Sequence, residues 1–158
     1  FTVSPLFSPP ALLNAGAANF GVEVAFPGDE RLAFERDVLY PLAGLDPAKA
    51  ETYFKIQKAV GTLSYAEDEA ARRYLNGEIT AEEAAQFISR YSLVTMERAR
   101  KLVTFIDQYR SYVINYNVGY DIVKNYIEAR GGTEDRPETR WRELGALLSS
   151  PQVPSALK

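Results

Sequence analysis

The hydrophobic pattern is clearest between Thr95 and Arg130, where apolar side chains recur every three or four residues. This spacing places side chains on one face of an α-helix, so the stretch predicts one long helix over about 95–130. The apolar face carries Leu102, Phe105, Tyr109, Tyr112, Tyr116, Tyr120, Val123 and Ile127. We expect this helix to lie at the centre of the fold.

A second stripe on the same predicted helix mixes polar with apolar side chains. It contains Val103, Asp107, Arg110, Ile114, Asn117 and Asp121. Polar groups inside a helical core are either paired or functional. We therefore expect Arg110 and Tyr116 to be shielded from solvent and to lie close to the segment Asn14–Gly21, which is rich in glycine and alanine.

Capping signals and apolar periodicity predict five shorter helices. They span about 9–25, 30–40, 46–75, 80–91 and 137–148. The clearest signal is the capping box formed by Thr80 and Glu83. No stretch alternates as a strand would. The sequence therefore predicts an all-α protein, with about six helices around one core in a single domain over residues 1–158.

The same periodicity predicts which side chains of the shorter helices face inward. They are Leu32, Phe34, Val38 and Leu39, then Tyr53, Ile56, Val60, Leu63, Ala70 and Tyr74, then Ala84, Phe87 and Ile88, and finally Trp141, Leu144, Leu147 and Leu148. These positions are the predicted core beside the long helix.

The chain has 158 residues, of which 46% are hydrophobic, and this is enough to bury a substantial core. The formal charge of -3 and the pI near 5.1 give no broad basic surface, so we expect neither nucleic acid nor an anionic membrane as partner. No apolar run approaches the roughly 18 residues that a membrane span needs. We therefore expect a soluble protein.

The chain contains no cysteine and no histidine. Disulfides, thiolate chemistry, imidazole bases and zinc sites built from histidine or cysteine are therefore excluded within it. Catalysis would need other side chains or a partner chain. Because the sequence begins at Phe1, we also expect a processed or excised piece of a larger protein.

The tyrosines of the long helix are candidate functional groups. Tyr109, Tyr112, Tyr116 and Tyr120 could line a ligand pocket, and a phenol could polarise a carbonyl group in a transition state. The simpler alternative is an aromatic core whose hydroxyls find local partners.

Asp107 and Arg110 stand three residues apart and could bind a carboxylate substrate, or could simply form a structural ion pair. Asn115 and Asn117 are poor helix formers that stand beside Gly119, which suggests a specific feature there. A carboxylate-based enzyme that uses Asp107 or Asp121 is a third possibility.

Two stretches resemble a known family. LLNAGAANFGVEVAFP, from Leu12 to Pro27, and QYRSYVINYNVGYDIV, from Gln108 to Val123, are similar to the C-terminal half of a bacterial family of gluzincin-like zinc hydrolases. These are predicted metallopeptidases of mostly helical fold. In that family an upstream HExxH-type helix supplies two zinc ligands and the catalytic Glu. A Glu-Gly-x-Ala helix supplies the third ligand, and a later Arg/Tyr-rich helix, ending in Tyr-x-x-Gly, lines the substrate cleft.

This sequence departs from the family pattern at the metal. Ala15 stands where the third-ligand Glu is expected, and the histidine helix is absent. The resemblance implies that Tyr116 would stabilise an oxyanion only in a chain joined to a metal-bearing half. It implies that the cleft lining carries over to Arg110, Tyr116 and Gly119. We name Asp107, Tyr112 and Asn117 of the same predicted helix as further candidate substrate-binding residues. The resemblance implies zinc as the cofactor of the parent family and none for this chain. It also implies a protein of the cytoplasm or periplasm of a bacterium.

We therefore expect a non-catalytic helical domain, a fragment of a zinc-metallopeptidase-like hydrolase that contributes the cleft lining. This hypothesis predicts either a companion N-terminal half or self-association, because removal of that half exposes apolar surface. The alternative is a helical binding module for a small apolar ligand or a partner helix, which predicts a monomer.

Overall fold

The computed structural model describes residues 5–149 and 152–157 of the chain. It is 78% helical, and the described residues contain no strand. The α-helices are α1 (Pro9–Ala25), α2 (Glu30–Phe34), α3 (Tyr40–Leu42), α4 (Ala50–Gly61), α5 (Tyr65–Leu75), α6 (Ala81–Tyr91), α7 (Met96–Tyr109), α8 (Val118–Ala129) and α9 (Pro137–Ser149). A π-helical segment, Glu35–Leu39, joins α2 to α3, and 3-10 turns occupy Pro47–Lys49, Thr62–Ser64, Arg110–Asn115 and Pro154–Ala156.

The predicted all-α class is confirmed, and each of the six predicted helices falls on a helical stretch of the structure. The helix predicted over 30–40 corresponds to α2, the π-helical segment and α3. The helix predicted over 46–75 corresponds to α4 and α5, with a 3-10 turn between them.

Local side-chain hydrogen bonds fix several helix starts. The Thr80 hydroxyl accepts from the Glu83 backbone N–H, and the Glu83 carboxylate accepts from the Thr80 N–H, so the predicted capping box is confirmed. Thr95 accepts from the Arg98 N–H in the same way. These contacts satisfy backbone donors that have no partner inside the first turn.

The predicted long helix is present as a helical segment of 34 residues, from Met96 to Ala129, with an interruption near its middle. Arg110 has φ of 52° and ψ of -129°, and the chain then makes the 3-10 turn before α8 begins. Because of this break, the three-and-four spacing of the buried side chains does not continue in register from α7 into α8. The buried side chains are Ala99, Val103 and Ile106 in α7, and Gly119, Val123 and Ile127 in α8.

The chain divides into two compact units, and each has its own cluster of buried side chains where the sequence predicts one core. The first unit comprises Phe1–Thr52 with Asn115–Lys158, and the second comprises Tyr53–Ile114. The first cluster includes Leu13, Ala17, Phe20 and Val24 of α1, Val123 and Ile127 of α8, and Leu144 and Leu147 of α9. The second includes Ala70 and Ala71 of α5, Ala84, Ala85 and Ile88 of α6, and Ala99, Val103 and Ile106 of α7.

Several predicted inward faces are wrong. Phe34, Val38 and Leu39, then Tyr53, Ile56 and Val60, and finally Trp141 and Leu148 are all at least 39% exposed. In α9 the buried face is Arg140, Leu144 and Leu147. The buried face therefore contains Arg140 and Leu147, and their sequence neighbours Trp141 and Leu148 are exposed.

No helix in the described part of the chain is both long enough and apolar enough to cross a membrane.

Candidate functional site

Helices α1 and α8 approach each other closely at two glycines, Gly16 and Gly119. A Cβ atom built on Gly16 would lie 2.1 Å from the carbonyl carbon and oxygen of Gly119. A Cβ on Gly119 would lie 2.3 Å from the carbonyl oxygen of Leu12. Real Cβ contacts are never this short, so only glycine permits the approach at either position. The expected packing of the small-residue segment against the tyrosine-bearing helical segment is therefore present in the first unit.

The Tyr-x-x-Gly element lies at this contact. The side-chain amide of Asn19 donates a hydrogen bond of 3.0 Å to the backbone carbonyl of Tyr116. Asn117 is half-buried in the turn before α8, and Gly119 is buried. The Tyr116 side chain is 43% exposed, so its predicted burial is wrong although its backbone lies where expected. Tyr116 follows the 3-10 turn Arg110–Asn115, so the α-helical spacing that predicted its burial does not apply there.

The residues around position 15 do not fit a zinc ion. Zinc in a catalytic site needs three protein ligands and a bound water, and the methyl group of Ala15 offers no ligand atom. Within residues 5–149 and 152–157, no three histidine, cysteine, aspartate or glutamate side chains are grouped so that they could hold a metal ion.

Asp107, Arg110 and Tyr112 belong to the second unit, near the end of α7. Asp107 accepts a hydrogen bond of 2.8 Å from the Tyr74 hydroxyl, instead of pairing with Arg110. This bond raises the pKa of the Tyr74 phenol, because ionisation would remove the donated proton beside a carboxylate. Tyr112 is half-buried, with its ring centroid 6.2 Å from that of Tyr109.

Arg110 is exposed, so its predicted shielding from solvent is wrong, and its backbone has a conformation that favours glycine. A non-glycine residue in such a conformation costs about 1–3 kcal/mol. Because a glycine would avoid this conformational free energy, an arginine here suggests that its guanidinium has a function.

We expect Arg110→Gly to stabilise the protein. Relief of about 1–3 kcal/mol of strain, less about 0.4–1 kcal/mol for the freedom of glycine in the unfolded chain, leaves a gain near 1 kcal/mol. Urea unfolding followed by circular dichroism measures it. Lys101→Gly, at an exposed position inside α7, is the control and should lose about 1 kcal/mol. A loss of similar size from both variants would contradict the argument from strain.

A buried arginine in the first unit lies within a polar cluster beside the α1–α8 contact. The Arg140 cluster comprises Glu23 of α1, Tyr120, Lys124 and Glu128 of α8, and Arg140 of α9. Arg140 is only 4% exposed, and its guanidinium carbon lies 4.7 Å from the centre of the Phe20 ring.

The Arg140 guanidinium has few close partners. Nη1 donates a hydrogen bond of 3.4 Å to the backbone carbonyl of Glu23, while Nη2 lies 3.7 Å from the Glu23 carboxylate and 4.0 Å from that of Glu128. Its Nε has no hydrogen-bond partner among the described residues. The two carboxylates have closer donors of their own, Tyr120 for Glu23 and Lys124 for Glu128.

Burial, followed by the hydrogen bond to Glu23, raises the pKa of the Tyr120 phenol far above its usual value. Tyr120 therefore remains a donor across the physiological pH range. The cluster contains two carboxylates, Glu23 and Glu128, and two cations, Lys124 and Arg140, and its residues come from three helices. Its chemistry is structural, since it ties α1, α8 and α9 together.

The sequence carries a signal for this cluster, although the apolar periodicity alone does not show it. Arg140 precedes Leu144 by four residues and Leu147 by seven, so it shares their helical face. An arginine in line with two core leucines indicates a buried cation that needs acidic partners.

No protein-family model, curated protein or solved structure that was compared with this chain matches it. The resemblance to zinc hydrolases therefore stays a prediction based on the stretches Leu12–Pro27 and Gln108–Val123.

Proposed function

We propose that this chain is the cleft-lining helical part of a zinc-hydrolase-like protein and has no catalytic activity by itself. The observation that supports this most is the contact of Gly16 with Gly119. The resemblance needs the third-ligand position and the Tyr-x-x-Gly element to be neighbours, because both serve one catalytic centre. Ala15, adjacent to Gly16, and Tyr116, held by Asn19, meet this requirement.

Under this proposal, the side chains of this chain bind the substrate and stabilise charge, and they carry no metal. In the first unit, the exposed Tyr116 phenol would donate to a developing oxyanion. In the second unit, the Arg110 guanidinium would bind a carboxylate. Asn117 would line the cleft beside Tyr116 in the first unit, and Asp107 and Tyr112 would accompany Arg110 in the second. The strained backbone of Arg110 supports this assignment, since the guanidinium is retained in a conformation that favours glycine.

The decisive experiment restores the missing ligand. We expect Ala15→Glu, in this chain joined to the polypeptide encoded immediately upstream of Phe1, to yield stoichiometric zinc in elemental analysis, where Ala15 yields little. Ala18→Glu, at an exposed position of the same helix, is the matched control. The same zinc content in both glutamate variants, or zinc in neither, would refute the proposal.

The partner that the proposal expects is a companion N-terminal half or a second copy. Large apolar side chains remain exposed in the first unit, among them Leu42 at 81% and Leu45 at 55%. A monomer seldom leaves such side chains uncovered together, and a docked polypeptide would cover them.

A second candidate function is a helical binding module for a partner helix or a small apolar ligand. The exposed apolar side chains from Phe34 to Leu45 favour it, because they follow one another along a short helical stretch. Sedimentation with and without the upstream polypeptide separates the candidates. A chain whose sedimentation is indifferent to that polypeptide supports the binding module and contradicts the fragment proposal.

A further inference from the structure

Three aromatic rings form a row at the end of α7, in the second unit. We call Phe105, Tyr109 and Tyr112 the aromatic row. The ring centroids of Phe105 and Tyr109 lie 4.6 Å apart, and those of Tyr109 and Tyr112 lie 6.2 Å apart. Phe105 packs against the second buried cluster, and all three residues are only half-buried. Aromatic rings pair at centroid separations of about 4.5–7 Å, so the ring of a ligand can extend this row at the same spacing.

The row is accompanied by a cation that has no anionic partner. Arg110 is exposed, and among the residues that the structure describes its guanidinium forms neither an ion pair nor a hydrogen bond. The acid three residues earlier, Asp107, accepts from Tyr74 instead. Arg100, another exposed arginine of the same helical segment, shows the contrast, because its guanidinium pairs with Glu82 at 2.9 Å. Arg110 is therefore available to an anion from outside the chain.

Electrostatics places Arg110 near the hydroxyl of Tyr74. The hydrogen bond from Tyr74 to Asp107 raises the pKa of the phenol, and the positive charge of Arg110 acts in the opposite direction. Such an effect weakens with distance, so the guanidinium lies on the same side of the second unit as this hydroxyl. A tyrosine hydroxyl, a carboxylate and an arginine therefore lie close to one another beside the aromatic row.

The backbone of Arg110 gives an independent reason to expect a ligand. Its φ of 52° and ψ of -129° are rare for any residue except glycine. Residues held in such conformations cluster at ligand-binding and catalytic sites. Contacts of the guanidinium within the described part of the chain do not offset the conformational free energy, whereas a bound anion would.

The arrangement indicates the chemical class of the ligand. A guanidinium binds a carboxylate through two parallel N–H···O hydrogen bonds, and an aromatic row favours a ligand with a ring. Tyr109 directly precedes Arg110, and consecutive Cα atoms are about 3.8 Å apart, so a small aromatic acid can contact both residues at once. The nearby Asp107 carboxylate repels a doubly charged phosphate more strongly than a singly charged carboxylate.

We propose that Arg110 and the aromatic row bind an aromatic carboxylate, such as the C-terminal phenylalanine of a peptide. The inference rests on the proposed function in assigning a carboxylate to Arg110, and it adds the aromatic group that the ligand must carry. The zinc experiment concerns position 15 in the first unit, so its outcome is independent of ligand binding at Arg110 in the second.

Titration of the full chain with N-acetyl-phenylalanine, followed by NMR of isotope-labelled protein, tests the ligand class. N-acetyl-phenylalaninamide lacks the charge and N-acetyl-glycine lacks the ring, and we expect each to bind roughly tenfold more weakly or worse. Equal binding of N-acetyl-glycine would overturn the aromatic requirement and leave Arg110 as a carboxylate site. Absence of binding by both acids would overturn the inference together with the proposed role of Arg110. Tighter binding of phenyl phosphate would overturn the carboxylate and assign a phosphate.

Four variants locate the binding to these side chains. Arg110→Gly should weaken binding of N-acetyl-phenylalanine roughly tenfold or more while it stabilises the fold, so the loss cannot come from unfolding. Arg100→Ala, which removes an arginine that is paired with Glu82, should leave the dissociation constant within about a factor of two. Tyr109→Leu should weaken binding several-fold, and Tyr109→Phe, which keeps the ring, should not. Equal effects of the two arginine variants, or of the two tyrosine variants, would overturn the proposal.

Discussion

Gly16→Ala should destabilise the first unit by about 3 kcal/mol or more, because the added methyl overlaps backbone atoms that cannot rotate away. Its Cβ would lie 2.1 Å from the Gly119 carbonyl, so α1 and α8 would have to separate along their length. The separation would loosen the packing of Leu13, Phe20 and Val123, which belong to the same buried cluster.

The chain provides a matched control on the same helix. A methyl group added at Gly21 would meet no neighbouring atom of the described residues within 4 Å, so Gly21→Ala should instead add about 0.5–1 kcal/mol through better helix propensity. The single tryptophan, Trp141 of α9, lies in the first unit and reports its unfolding by fluorescence in urea. If both alanine variants shift the transition in the same direction, the close approach of the two helices is refuted.

Arg140→Ala should also be strongly destabilising, with a loss of about 3–5 kcal/mol. Truncation removes the cation beside Glu23 and Glu128 and leaves a void against the Phe20 ring. Arg140→Met should lose less, because it refills the void while the two carboxylates keep part of their hydration.

Arg142→Ala on the same helix is the control for charge and helix propensity. Arg142 is 68% exposed and pairs with its neighbour Glu143, so its truncation should change the free energy of unfolding by less than about 0.5 kcal/mol. Urea unfolding followed by Trp141 fluorescence compares the three variants. A methionine variant as unstable as the alanine variant would show that the charge matters and that the packing does not.

Helix boundaries could be predicted from the sequence because their causes are local. The Thr80 and Glu83 side chains satisfy backbone groups only three residues away, and this geometry needs no tertiary partner. The small residues of α1 likewise indicated a close neighbour, and Gly119 proved to be that neighbour.

The inward faces of several helices could not be predicted because they depend on what each helix packs against. In α9 the pattern favoured Trp141, whereas the fold buries Arg140, whose aromatic and acidic partners come from α1 and α8. The break after α7 is harder still to predict. Arginine is a good helix former, so nothing local distinguishes the positive φ of Arg110.

The candidate site was predicted only in part. The proximity of position 15 to the Tyr116–Gly119 element followed from the resemblance of the two stretches to the zinc hydrolases, and the structure of the first unit contains it. The exposure of Tyr116 did not follow, because it depends on the 3-10 turn. The catalytic and substrate-binding roles of the named residues stay predictions.

The first unit is assembled from two separate pieces of chain, with the whole second unit inserted between them. On the ribosome, α1 emerges long before α8, so its glycine-bearing face has no partner until translation has passed Gly119. The second unit is continuous in sequence and mostly joins near neighbours, which favours early and rapid formation. We therefore expect nascent chains to acquire protease resistance first between α5 and α7, and only later at the amino-terminal helix.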